Sequence, residues 1–190
     1  MIRVYPRKKL DYSFANILSA LTMTIVPRLN KGKIINEIEN LWPMENVITG
    51  LSVRTIFDSL LTTKNFEKGS EVIMTGITIP DMVKIVELHG LKIVPIDLDM
   101  ETLQLKKEAL KNALSKKTVM IVVAHLFGSR MEMDPVYEAL DKRSDVLVIE
   151  DCAQAHGACY QGKSVGSWGD VAAWSFCQDK IMTTGGEGGM

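Results

Sequence analysis

Val148–Met190 reads VIEDCAQAHGACYQGKSVGSWGDVAAWSFCQDKIMTTGGEGGM. It opens as an apolar strand running into Glu150 and Asp151, and it closes on Lys180 beside a glycine cluster. Such a strand delivers a carboxylate to the carboxyl edge of a sheet, where open α/β folds bind ligands. Upstream, Thr118–Ala124 (TVMIVVA) is a continuous apolar run, as expected for a strand buried on both faces of a parallel sheet. Glu71–Met74, Lys92–Asp99 and Asp145–Ile149 are predicted as further strands. Helices are predicted between them. One enters after Gly50, one starts at Pro80 and stops at Gly90, one covers Lys107–Leu114, and one starts with Asp134 as cap and Pro135 at its first position. Strands alternating with helices from about residue 46 predict an α/β fold, three-layer α/β/α with a mainly parallel sheet.

The preceding 45 residues are predicted as a helical segment. Asp11 is placed to cap a helix with apolar positions Phe14, Ile17, Leu18 and Leu21, bounded by Pro27. A second helical pattern around Ile34, Ile35 and Ile38 ends near Trp42-Pro43. The 190-residue chain is 46% hydrophobic and 24% charged, enough for a sizeable core and against disorder. A net charge of −1 gives no electrostatic case for nucleic acid or an anionic membrane. Three cysteines without a CxxC pair read as reduced thiols, and the N-terminus shows no signal-peptide or membrane pattern, so the expected location is cytoplasmic. Scattered cysteines and histidines argue against a structural metal site. A nicotinamide-binding Rossmann reading lacks a GxGxxG after the first strand.

Several motifs in fixed order carry a resemblance. They are EDCAQAHGA (Glu150–Ala158), the spaced Gly162, Gly166 and Gly169-Asp170, Ser175-Phe176 leading to Lys180, and TGGEGGM (Thr184–Met190). Further upstream stand His125-Leu126-Phe127-Gly128, Thr78 and the pair Asp97 and Asp99. Together they resemble the DegT/DnrJ/EryC1/StrS family of PLP-dependent sugar aminotransferases, which have the aspartate-aminotransferase fold (fold type I). The resemblance implies that residues 46–190 are the PLP-binding large domain, incomplete and without a C-terminal small domain. The chain is then expected to be an N-terminal portion that holds cofactor weakly by itself.

The resemblance also implies roles. Lys180 matches the lysine that bonds the aldehyde of pyridoxal 5'-phosphate, and Asp151 the acid that keeps the pyridine nitrogen protonated. Gln154 matches a hydrogen-bond partner of the ring hydroxyl, and Ser175 a phosphate contact. Gly50 and Leu51 stand where the family has Ser-Gly-Thr around the phosphate, with leucine replacing a hydroxyl. Ile79 stands where an aromatic ring usually stacks on the pyridine. His125 and His156 are candidates to touch substrate, with loop anchoring as the alternative for His125 and loop support for His156. Asp97 and Asp99 read as a strand-end turn and Glu187 as a loop residue. The implied activity is transfer of an amino group, with glutamate as donor, to a nucleotide-linked keto-sugar by a homodimer. Two alternatives remain. One is a degenerate, non-catalytic relative. The other is a PLP- or PMP-dependent sugar dehydratase, against which Lys180 argues because those enzymes are expected to carry histidine there.

Overall fold

Thr118–Ala124 forms the central strand of a five-stranded sheet. The structure, a computed structural model, describes residues 12–25, 30–42, 44, 46–184 and 186–190. In chain order the strands are β1 (Glu71–Thr75), β2 (Lys92–Ile96), β3 (Thr118–Ala124), β4 (Leu147–Asp151), a short hairpin β5 (Cys159–Tyr160) and β6 (Lys163–Ser164), and β7 (Val171–Ala173). The main sheet runs β2-β1-β3-β4-β7 with every pair parallel. The helices are α1 (Phe14–Ile25), α2 (Lys31–Leu41), α3 (Val53–Lys64), α4 (Pro80–Leu88), α5 (Lys107–Ala113) and α6 (Asp134–Leu140).

Side chains on a strand alternate between faces, and the core follows that rule. Val72 and Met74 of β1, Met120 and Val122 of β3 and Ile149 of β4 pack with Phe57 and Leu61 of α3 and Met82 and Val86 of α4. The intervening Ile73, Ile121, Val123 and Val148 pack with Leu110 of α5 and Val136 and Leu140 of α6. The sheet is therefore a buried middle layer between two helical layers, as the unbroken apolar run of β3 requires.

Chain contacts divide the molecule at residues 45/46 into an N-terminal unit and a larger C-terminal unit. In the first, Asn30 caps α2 by accepting from the Lys33 N–H. No residue of α1 is buried, and its apolar Phe14, Ile17, Leu18 and Leu21 are all exposed. The expected cap Asp11 and the bounds Pro27 and Pro43 lie outside the described residues.

Local expectations differ from the structure at three places. Asp134 was expected to cap α6, but the helix is capped by Met133 and has no side-chain cap bond. The Asp134 carboxylate instead accepts from the Tyr160 hydroxyl (2.9 Å) and the Gln161 amide (2.6 Å), so a tertiary contact displaces the local one. The strand predicted over Lys92–Asp99 stops at Ile96. Asp99 then turns the chain, accepting from the Glu101 and Thr102 N–H groups (3.1 and 3.0 Å). The strand expected over Asp145–Ile149 is shifted two residues and runs through Glu150 and Asp151. The expected helix stop at Gly90 is present, with a left-handed φ of 74° directly after the α4 cap residue His89.

Candidate active site

Three loops that leave the carboxyl ends of parallel strands meet in one pocket. Phe127 and Gly128 follow β3, Ala153 and Gln154 follow β4, and Asp179, Lys180 and Ile181 lie beyond β7. The pocket is open and holds about 290 Å³. It brings Gln154 and Lys180 together. Gly50, Leu51, Ile79, His125, His156, Asp151 and Ser175 are not among its lining residues.

Asp151 ends β4 beside this pocket. Its Oδ1 accepts from the Ala153 N–H at 3.0 Å. Burial pushes its carboxyl above the usual aspartate range, against the pull of that N–H and of the Lys180 charge. The neighbouring Glu150, on the opposite face of the strand, goes the other way. It is wholly buried, and burial works against its charge. Donors outweigh that cost and hold it below the usual glutamate range. His125 Nε2 (3.0 Å) and Gly166 N–H (2.8 Å) donate to Oε2, while Trp168 N–H (2.7 Å) and Gly169 N–H (2.6 Å) donate to Oε1. Gly166 sits at φ 84°, and a Cβ there would fall 2.6 Å from the Trp174 ring, so only glycine fits this donor turn.

His125 is wholly buried. Its Nδ1 accepts from the Met131 N–H at 2.8 Å, so Nε2 carries the proton that goes to Glu150. Both ring nitrogens are thus committed to the protein. The expectation that His125 faces a substrate gives way to its alternative as a loop anchor. Cys152 lies close by, its thiol pushed up by burial and by the charges of Glu150 and Asp151. His125, Glu150 and Cys152 hold ligand-type atoms within 4.8 Å of one another, but the imidazole and carboxylate atoms are already hydrogen bonded. His156 donates from Nε2 to the Ser175 carbonyl (3.1 Å), with its ring 5.0 Å from Trp174 and 5.2 Å from Phe176. Burial, with the Lys180 charge, keeps its pKa below the usual histidine range, so it is a neutral brace under Ser175.

The glycine cluster joins two distant walls. Gly189 bridges Gly50 on one side and Ser175 on the other. Gly50 N–H donates to Gly189 O (3.0 Å) and Gly189 N–H returns to Gly50 O (3.1 Å). A Cβ on Gly189 would lie 2.5 Å from the Val53 nitrogen at the start of α3. Ser52 caps α3, its side chain accepting from Thr55 N–H. The amino end of α3 and Ser175 therefore flank one extended segment. Leu51 and Ile79 are exposed. Glu187 forms an exposed pair with Arg54 at 3.5 Å, in keeping with a loop role.

Sequence reasoning singled out Lys180 and Gln154 but passed over Phe127 and Glu150. Both stand inside motifs that carry the resemblance, Phe127 in His125–Gly128 and Glu150 at the head of EDCAQAHGA, but neither motif says what the side chain does.

With this geometry in place, comparison with known proteins decides the family. Residues 38–190 match the DegT/DnrJ/EryC1/StrS aminotransferase family. The chain belongs to that family. GDP-perosamine synthase from Escherichia coli O157:H7 is 35% identical over 165 residues, covering 85% of this chain and 45% of that protein. L-glutamine:2-deoxy-scyllo-inosose aminotransferase from Micromonospora echinospora is 38% identical over 121 residues, covering 64% of this chain and 28% of the relative. An X-ray structure of the aminotransferase from Psychrobacter cryohalolentis superposes with a TM-score of 0.74 at 42% identity, over 81% of this chain and 39% of that one. The E. coli GDP-4-keto-6-deoxy-D-mannose-3-dehydratase with bound hydrated PLP shares the fold, with a TM-score of 0.87 at 19% identity over 98% of this chain and 50% of its own. This DegT/DnrJ/EryC1/StrS chain spans less than half the length of the curated relatives it matches. Among the described residues no helix is long and apolar enough to cross a membrane.

Proposed function

We propose that this protein is a PLP-dependent aminotransferase that moves an amino group from glutamate to a nucleotide-linked keto-sugar. The observation that carries the reading is the shared pocket of Lys180 and Gln154, with the half-buried Asp151 carboxylate at the strand end that leads into it. The residues fit pyridoxal 5'-phosphate chemically. When bound, the cofactor supplies an electron sink that stabilises charge at the substrate carbon.

The chain's own groups have distinct tasks. Lys180 offers the amine that holds the cofactor aldehyde and afterwards carries a proton to and from the substrate carbon. Asp151 is a half-buried carboxylate whose own surroundings under-stabilise its charge, so a cationic ring nitrogen is its natural partner. Gln154 Oε1 accepts from the Phe127 N–H at 2.8 Å. A backbone N–H demands an oxygen, which leaves the Gln154 NH₂ to donate to a ring oxygen. Ser175 and the N–H groups opening α3 supply donors and positive dipole for a phosphate, Leu51 contributing backbone only and Gly50, whose own N–H is taken by Gly189, a wall without a side chain in the anion's way. Ile79, at the N-cap of α4, is the apolar cover for one ring face.

On this reading residues 46–190 are part of the PLP-binding large domain, and 1–45 a helical segment. The protein works as a homodimer in the cytoplasm. Three free cysteines support a reducing compartment, and the exposed apolar residues of α1 support burial against further protein surface.

The test is the visible spectrum of the protein with PLP, before and after glutamate. A lysine-dependent band that bleaches with glutamate is the expected outcome, and a protein that never develops the band refutes the reading. Asp151→Asn is expected to retain the fold while weakening PLP binding and cutting turnover about 10²- to 10³-fold, because a neutral amide no longer holds a proton on the ring. Titration of the band in both proteins checks this, and equal affinity and rate would remove Asp151 from the site.

A further inference from the structure

The turn after β3 is held in a conformation that its sequence does not favour. Phe127 has φ 56° and ψ 30°, the left-handed region that a bulky side chain normally avoids. Strain of this kind persists only where neighbouring structure over-determines it, and it concentrates at functional sites. Three side-chain clamps do so here. His125 donates to Glu150 on one side of the turn, and the same ring accepts from Met131 on the other. Between them, Gln154 accepts the N–H of Phe127 itself. What these clamps present is an aromatic ring that is 69% exposed at the rim of the Lys180 pocket.

We propose that Phe127 is a specificity-determining residue whose ring packs against the C–H face of the hexose of the nucleotide-sugar. The inference rests on the aminotransferase reading of the pocket and adds to it the residue that recognises the acceptor. The choice of acceptor over donor follows from charge. The face of a phenyl ring carries the negative lobe of its quadrupole, so it attracts the weakly positive C–H edges of a sugar and repels the carboxylates of glutamate. Gln154 then has two tasks, orienting the turn with its oxygen and facing the pocket with its amide.

The experiment compares the PLP-loaded protein with Phe127→Ala and Phe127→Tyr, using GDP-perosamine and GDP as probes in calorimetric titrations. Phe127→Ala is expected to raise the Kd for GDP-perosamine about fivefold to tenfold, from the loss of one aromatic contact. It should leave the Kd for GDP, the KM for glutamate, the cofactor band and Tm unchanged, since the side chain is not part of the core. Phe127→Tyr should restore sugar affinity. An unchanged sugar Kd in Phe127→Ala, an equal loss for GDP, or a weakened cofactor band would each overturn the assignment of Phe127. A wild-type protein with no lysine-dependent band fails at the earlier step and overturns the aminotransferase reading with it.

Discussion

Lys180→Ala is expected to lower amino transfer by about 10⁴-fold and to abolish the visible band of lysine-bound PLP. The lysine sits on a turn in which its own backbone N–H donates to the Cys177 carbonyl at 3.0 Å, and it shares the pocket with Gln154. Its charge reaches both Asp151, where it offsets part of the upward push of burial, and His156, where it adds to the downward push of burial. On the proposed reading, alanine therefore removes a nucleophile, a proton carrier and a local cation at once. Lys180→Arg separates them. Arginine keeps the cation but is never a free amine at working pH, so it should preserve the pocket's electrostatics and remain inactive. Single-turnover kinetics with glutamate measure the loss. A Lys180→Ala protein within tenfold of wild type would mean that another group carries the chemistry.

Glu150→Ala is expected to destabilise the larger unit by about 3–5 kcal/mol, because it strips a buried carboxylate from four donors and leaves three backbone N–H groups and an imidazole N–H without an acceptor. That is a large part of the 5–15 kcal/mol that holds a typical domain folded (an order-of-magnitude range). Glu150→Gln should recover little, since its NH₂ would face N–H donors on one side. The exposed Asp145, paired with Arg143, makes a control whose removal should barely move the urea midpoint. The pH dependence has a defined sign. The folded pKa of Glu150 lies below its ordinary 4.5, so its contribution is complete above that value and is lost as pH falls through the lower folded value. Asp151 has a raised folded pKa, so it costs stability as pH rises from its ordinary 3.8 toward the folded value. Urea midpoints measured from pH 3 to 7 should therefore lose acid sensitivity in Glu150→Ala. An unchanged acid slope, or a midpoint close to wild type at pH 7, would mean that water already solvates the carboxylate.

The features legible in the sequence were those decided by local pattern. TVMIVVA announces a doubly buried strand without help from its neighbours, and Pro80 and Gly90 bracket α4 by backbone geometry alone. The features that were not legible depend on partners distant in the chain. The carboxylate of Asp134 looks like a helix cap until Tyr160 and Gln161 reach it across the fold. His125 looks available to a ligand until Met131 and Glu150 take both nitrogens. The left-handed backbone of Phe127 has no signature of its own, since a phenylalanine there is what local preference would have refused.

The ladder through Gly189 also bears on how the protein is made. Gly50 lies near the start of the larger unit and Gly189 at its far end, and their backbone pairing closes the wall that carries the α3 terminus and Ser175. A chain emerging from the ribosome can pair β1, β2, β3 and β4 as each is synthesised, because their partners are already present. It cannot close the Gly50–Gly189–Ser175 wall until Gly189 has left the exit tunnel, and so long-range a contact is slow to form. If that wall holds the cofactor as proposed, nascent chains shorter than this should not capture it, and the vitamin would be committed only to molecules whose sheet is already in place.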